Sequence, residues 1–432
     1  MVSTKFIKCK KQQLDRVLMK MEKSPEELAR ARRERIEAAI NLKEPDRVPL
    51  QLHFDYGFIA RWSGITTFEL LFDYEKAGRA IVKIVKDFPT DMPPLAMLGT
   101  ATLLGFALRD YPDVAAFVAP LTGPMHDIIR DKYTRWPGRE LSPNAGSFQF
   151  IGGEFLKAEE YDAFIDDPVK FMAEVAVPRA HASLEKPGSP EAMATLIRAC
   201  LEGSKYFRFS GMLAQDIAKL GYEFGGPSAL TSVPLDFIGD FLRTIPGILL
   251  DLRKTPDKVK QACDVLMETQ HKRLLTSGVT VRSVGIPLHL NEYLSPKFYY
   301  EFYWPYLKKI IVDMYNKGVR CNVAFEGRHD AYLESILELP KAWGVAMFEK
   351  TDVRKAKQIL KGHTCISGGI PPTLLLNSTP EKIEEYIKEL LEEVMPEGGF
   401  ILGSSTAIPA ETPVENVRAV IRAVEKYGVL RR

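Results

Sequence analysis

The 432-residue chain has no excess of charge of either sign: 58 Lys and Arg stand against 56 Asp and Glu, a net of +2. That balance excludes the basic footprint of a nucleic-acid binder and gives no hold on an anionic membrane. Long apolar runs are missing too. No stretch approaches about 18 uninterrupted apolar residues, so no membrane-spanning helix is expected. Cysteine is scarce: Cys9, Cys200, Cys263, Cys321 and Cys365 are widely spaced, odd in number and without a Cys-x-x-Cys pair. A disulfide framework and a zinc knuckle are thereby excluded, and a reducing compartment is the simpler expectation. The first 40 residues are charged throughout and lack the apolar segment of a signal peptide, so a cytoplasmic location is expected. What is present is ordinary globular composition, 46% hydrophobic and 26% charged, which excludes global disorder.

Residues 1–45 read as an N-terminal helical extension. Ser24-Pro25-Glu26-Glu27 supplies a cap, a first-turn proline and first-turn acids. Glu44-Pro45-Asp46-Arg47 ends it, and residues 46–432 form the main domain. Residues 48–55 read as a strand with polar groups at its far end. Residues 95–160, rich in Pro and Gly, read as an insertion with irregular and short β structure, and 159–172 as helix.

The second half is more regular. Strand-like runs at 283–291, 319–327, 343–349, 364–369 and 399–405 alternate with helix-like segments at 296–317, 352–361, 379–394 and 413–427. Such repetition predicts a parallel sheet with helical crossovers. With further strands placed near 92–99 and 205–211, the fold class is α/β, a (β/α)8 TIM barrel.

In such barrels the chemistry sits at the C-terminal strand ends. Here those ends carry His53 and Asp55; His289, Asn291 and Glu292; Glu326 and His329; Glu349 and Asp352; and Ser404, Ser405 and Thr406. Alternation puts Asn322, Ala324 and Glu326 on one strand face, and Val345, Met347 and Glu349 on another. His289, Glu326 and Glu349 end three consecutive strands. Three His and carboxylate ligands with an open position would make a catalytic zinc site, a Lewis acid suited to an ether oxygen. Without metal, Glu326 and Glu349 are the candidate catalytic acids. His53, Asp55, Asn291, Ser405 and Thr406 are the candidate substrate-binding residues. Asp352 reads as a helix N-cap, His329 as a solvated loop residue and His363 as structural. Tyr299, Phe302, Tyr303, Trp304 and Tyr306 read as core, and Arg61 and Arg208 as alternative carboxylate anchors.

Several motifs resemble the uroporphyrinogen decarboxylase superfamily. These are the opening Arg30-Ala-Arg-Arg-Glu-Arg-Ile-Glu-Ala-Ala-Ile40 through Pro45-Asp-Arg-Val-Pro49, the helix start Leu294-Ser-Pro, and the turn Gly368-Gly-Ile-Pro-Pro followed by Ser378-Thr-Pro-Glu-Lys. The C-terminal Ile401-Leu-Gly-Ser-Ser-Thr-Ala-Ile-Pro409, then Thr412-Pro-Val-Glu, completes the set. The resemblance implies the same barrel. The Arg-rich loop of the porphyrin decarboxylases is replaced by Leu50-Gln-Leu-His-Phe-Asp-Tyr-Gly57, with no arginine before Arg61. The resemblance is therefore closer to the corrinoid-dependent methyltransferase branch. That branch's His-x-Cys and Cys zinc ligands are replaced by Ala324-Phe325-Glu326 and Thr406.

What this implies is an enzyme moving a methyl group from a small O-methyl donor, such as a methoxylated aromatic, to the cobalt of a separate corrinoid protein. The implied partners are that corrinoid protein, which supplies the corrinoid, and the small-molecule methyl donor. A homodimer is a further expected assembly. The alternatives are a decarboxylase or lyase of a small acid or tetrapyrrole, and a non-catalytic tetrapyrrole or corrinoid binding protein.

Overall fold

The computed structural model describes residues 23–94, 98–223, 229–276 and 282–429. Its strands in chain order are β1 (Leu50–Gln51), β2 (Gly99–Ala101), β3 (Pro120–Thr122), β4 (Thr134–Arg135) and β5 (Gln149–Phe150). There follow β6 (Ala229–Leu230), β7 (Ser283–Leu288), β8 (Arg320–Phe325), β9 (Gly344–Phe348), β10 (Cys365–Ile370) and β11 (Phe400–Ser404). Seven of them form one sheet in the order β1-β11-β10-β9-β8-β7-β6. Every pairing in it is parallel, with registers such as Leu50 opposite Leu402 and Cys321 opposite Gly344. This is the (β/α)8 barrel, with seven of its strands among the described residues. β10 and β11 are buried at every position, because helices cover one face and the barrel interior the other.

Helices begin where the sequence signals them. Ser24 and Glu27 form a reciprocal capping box on Pro25–Ile40, and Thr379 caps Pro380–Val394. The stretch 296–317 is interrupted by a wider turn over Tyr299–Tyr303 before the helix resumes at Trp304–Asn316. Pro305 follows at once, and its missing N–H explains the break in the ladder. Tyr299, Phe302, Tyr303, Trp304 and Tyr306 are all buried, as core residues.

Two strand assignments are corrected. Residues 205–211 lie inside the 29-residue helix Pro190–Ala218, and the strand is Ala229–Leu230. The run Tyr206-Phe207-Arg208-Phe209 has β-favouring composition, but its rings pack as helical neighbours. Tyr206 and Phe209 both meet Tyr74, and Phe207 meets Phe117. Tertiary packing overrides propensity here. Residues 92–99 do not supply a described parallel strand. Residues 95–97 lie outside the described residues, and Gly99 opens β2, which pairs antiparallel with β3. The N–H of Asp91 still donates to the Leu50 carbonyl beside β1. The insertion holds the short antiparallel pairs β2/β3 and β4/β5 and more helix than expected, including Pro112–Val118 and Gly123–Ile129. Of the N-terminal extension, residues 1–22 lie outside the described residues.

Candidate active site

The C-terminal ends of β1, β8, β9 and β11 enclose a cavity of about 220 Å³. His53, Ala324, Phe325, Glu326, Met347, Glu349, Ser405, Thr406 and Ala407 line it. Five residues singled out by strand-end position therefore meet: His53, Glu326, Glu349, Ser405 and Thr406. The main-chain N–H of His53 donates to Ser404 Oγ at 2.9 Å. Its ring Nε2 is buried with no partner, and burial pushes the imidazole below its usual range, towards the neutral form. Glu349 Oε2 accepts the Gly327 N–H at 2.6 Å. Gly327 has φ +67°, and a Cβ there would run into Glu292 Oε2. The glycine is thus needed for the turn that sets Glu326 and Glu349 side by side.

His289 stands next to this cavity. Its Nδ1 is 2.6 Å from Asp240 Oδ2, and its Nε2 is 3.7 Å from Glu326 Oε1, an ion-pair distance. Burial opposes the charged ring, but Asp240, Glu326 and Asp236 outweigh it and raise the imidazole to about 11. Both ring nitrogens thus face carboxylate oxygens, which favours the charged ring. Behind it, the fully buried Asp236 accepts the Leu290 N–H at 2.9 Å and the Tyr303 hydroxyl at 2.6 Å. Burial and the neighbouring Asp240 raise Asp236 to about 7.

Asp236, Asp240 and Tyr303 were not among the expected site residues. A signal was present, since Pro234-Leu-Asp-Phe-Ile-Gly-Asp240 carries two acids four residues apart in an apolar helix start. Acids there are buried only when partnered.

The expected zinc set His289, Glu326 and Glu349 is corrected. Glu349 is engaged by Gly327. Among the described residues no three His, Cys, Asp or Glu side chains converge as a metal site, whereas a catalytic zinc takes three protein ligands. As placed here, the three expected ligands do not come together as such a site.

Asn291 is fully buried. Its Nδ2 donates to the Glu326 carbonyl at 2.9 Å and its Oδ1 has no partner. It supports the loop and does not line the cavity. Asp55 also lies off the cavity, as N-cap of Tyr56–Ser63. Burial, with Glu411 nearby, raises it to about 6. Asp352 caps Val353–Leu360 as expected.

His329 is corrected from solvated loop to fully buried. It packs 4.4 Å from the Phe325 ring, and burial lowers it to about 3. His363 is structural, its Nε2 at 3.0 Å from the Leu339 carbonyl. The alternative anchors are elsewhere. Arg61 donates to the Thr412 carbonyl at 2.8 Å, and Arg208 is exposed on the long helix.

Comparison with known proteins agrees with this architecture. Residues 227–427 match the family model described as Uroporphyrinogen decarboxylase (URO-D). A uroporphyrinogen decarboxylase of Coxiella burnetii (strain Dugway 5J108-111) is 26% identical over 139 residues, 32% of this chain and 38% of that protein. The "Methylcobamide:CoM methyltransferase MtbA" of Methanosarcina acetivorans is 24% identical over 156 residues, 36% of this chain and 44% of that protein. The matches thus span about two-fifths of these relatives. A solved structure titled "methyltransferase from Methanosarcina mazei" superposes with a TM-score of 0.58 at 15% identity, covering 94% of this chain and 99% of that one. This likeness shows the shared fold.

Proposed function

Because residues 227–427 match the uroporphyrinogen decarboxylase family model, we propose that this barrel is a methyltransferase of that family. It moves a methyl group from a small O-methyl donor to the corrinoid cobalt of a partner protein. The observation that carries the reading is the cavity itself. At about 220 Å³ it lies below the roughly 300–1,000 Å³ of pockets for drug-sized ligands. Its lining presents Glu326 and Glu349 and, among the described residues, no arginine or lysine. A porphyrinogen with several carboxylates meets neither the space nor the cations it needs. The relatives include both decarboxylases and methyltransferases, and the lining favours the second.

The corrinoid on the partner would supply the nucleophile that takes the methyl group. This chain's residues hold the donor and manage the proton. Phe325 and Met347 give apolar contact, and Ser405, Thr406 and His53 orient polar groups. As the C–O bond breaks, its electron pair stays on oxygen. The His289 imidazolium, held by Asp240, passes its proton to that oxygen by way of Glu326, which lies between its Nε2 and the cavity, and is recharged from solvent. An acid raised to about 11 suits an alkoxide or phenolate leaving group. Glu326 fixes the ring on its Nε2 side. The proton expected on Glu326 or Glu349 thus resides on His289 in this reading.

The test is methyl transfer from a panel of methoxy compounds to free cob(I)alamin, followed by the loss of the cob(I) absorbance. Turnover is expected, with kcat/KM reduced at least about 100-fold in His289→Gln and Glu326→Gln. No turnover with any methoxy compound, or unchanged rates in both variants, would sink the reading.

A further inference from the structure

We infer that Asn291, Glu292, Glu349 and Thr351 are positioning residues: they clamp the loop Glu326–His329 and so hold the Glu326 carboxylate between His289 and the cavity. The effect on rate rests on the methyl-transfer reading; the clamp itself does not. Glu326 has little side-chain support of its own. Its side chain is 48% exposed, and among the described residues its ion-pair partner is His289 Nε2, at 3.7 Å. A glutamate held by one long contact keeps most of its rotamer freedom. Its aim is therefore set by the main chain that carries it.

That main chain is tied at four successive residues, each time by a side chain from a neighbouring strand end. After β7, Asn291 Nδ2 donates to the Glu326 carbonyl at 2.9 Å, and Glu292 Oε2 accepts the Arg328 N–H at 3.0 Å. After β9, Glu349 Oε2 accepts the Gly327 N–H at 2.6 Å, and Thr351 Oγ1 accepts the His329 N–H at 2.7 Å. The ties thus alternate between the two flanking strands along residues 326 to 329. Neither strand end fixes the loop alone. The Lys350 N–H adds a main-chain bond to the Gly327 carbonyl at 3.2 Å.

Surface loops can satisfy such groups with water. Here the partners are themselves fixed. Asn291 is fully buried and Thr351 nearly so, and a Cβ at Gly327 would run into Glu292 Oε2. Side chains locked by packing give a reacting group its precision, and a misplacement of about 1 Å can cost about 100-fold in rate. The clamp also gives Glu349 a task that needs no proton, since it acts as acceptor for one N–H. Glutamine supplies the same acceptor, so positioning and proton transfer at this residue part company on one substitution.

Amide hydrogen exchange of the full chain reads the clamp without any substrate. Asn291→Leu and Thr351→Val each remove one tie. Both should speed exchange of the Gly327, Arg328 and His329 N–H groups at least about tenfold, with β9 unchanged. In the same variants the His289 ring-proton resonances should move in the direction seen in Glu326→Gln, because each draws the carboxylate away from Nε2. Where a methyl donor is turned over, kcat should fall at least about tenfold while KM changes less than about threefold. Glu349→Leu should lose kcat likewise, and Glu349→Gln should keep at least about tenfold more of it. If Asn291→Leu is unfolded by circular dichroism, Thr351→Val carries the test.

Unchanged exchange in these variants overturns the inference, as do faster exchange with unmoved His289 resonances and equal loss of kcat in Glu349→Gln and Glu349→Leu. The clamp and the methyl-transfer reading can fail separately. If no methoxy compound is turned over, exchange and resonances still decide the clamp, and the methyltransferase reading alone falls. Wild-type kcat in variants whose loop exchanges faster does the reverse: methyl transfer stands and the positioning role is lost.

Discussion

Two histidines follow successive strands of this barrel and live in opposite surroundings. His289, after β7, is partly exposed and lies between Asp240 and Glu326 with Asp236 behind, and it is raised to about 11. His329, after β8, is fully buried among Phe325, Tyr299 and Tyr332, and it is lowered to about 3. Both are penalised by burial. The difference is whether carboxylates are brought within reach of the ring. Position at a strand end makes a residue available to the mouth, but the neighbouring element decides its chemistry. For His289 that element is the segment Pro234–Arg243.

The largest effect on stability should come from removing what sets the two rings apart. Asp236→Ala strips the acceptor from the Leu290 N–H and the Tyr303 hydroxyl, both buried. Two unsatisfied groups cost about 3 kcal/mol together, to be read as a fall in the urea midpoint. Asp236→Asn keeps an acceptor and should lose less than half as much. If Asp236→Ala were neutral, the cluster behind His289 would not be the ordered feature that distinguishes it from His329.

How much of this contrast could be read from sequence follows from the same distinction. β7 to β11 were legible because each is a short apolar run followed by a helix start, and both faces are covered. Once the barrel is recognised, strand-end position alone finds His53, Glu326, Glu349, Ser405 and Thr406, which meet in one cavity. The aromatic run at 206–209 misled because its β-favouring residues pack along a helix against Tyr74 and Phe117. The roles of Asp236, Asp240 and Tyr303 were not legible, because they arise only when two distant segments pack at the end of β7. His329 was misread for a related reason. Gly327-Arg328-His329 looks like an open loop, but Tyr299 from a distant segment and Tyr332 one turn further on close over it.

A smaller effect separates the histidines by pH. His289 has a folded value raised above its unfolded 6.5. Its contribution is fully present below about 6.5 and is lost as pH rises towards about 11. His329 has a folded value lowered to about 3. The unfolded chain then binds the extra proton, so stability falls as pH drops from about 6.5 towards 3. Urea midpoints measured across this range should show an alkaline decline that flattens in Asp240→Asn. The acid decline should flatten in His329→Phe. Histidine proton resonances give the direct check, with His289 charged and His329 neutral at pH near 7. If Asp240→Asn altered the acid limb and left the alkaline limb as it was, the assignment of the two rings would be reversed.

The smallest expected effect tests whether His329 needs its nitrogens. Nδ1 lies 3.4 Å from Asn291 Nδ2, and Nε2 lies 3.4 Å from the Tyr299 hydroxyl. Both distances are at the long end of hydrogen bonding. Each neighbour also has a better partner: Asn291 Nδ2 donates to the Glu326 carbonyl at 2.9 Å, and the Tyr299 hydroxyl meets Ser335 Oγ at 3.2 Å. The main-chain N–H of His329 donates to Thr351 Oγ1 at 2.7 Å whatever the side chain. His329→Phe therefore keeps the ring contacts and strands no buried polar group, and should cost less than about 1.5 kcal/mol. At His289 the same substitution would leave Asp240, 11% exposed, and Glu326 without the cation they share, and should cost more. Equal costs at the two positions would mean that ring packing, and not the carboxylates around His289, governs both sites.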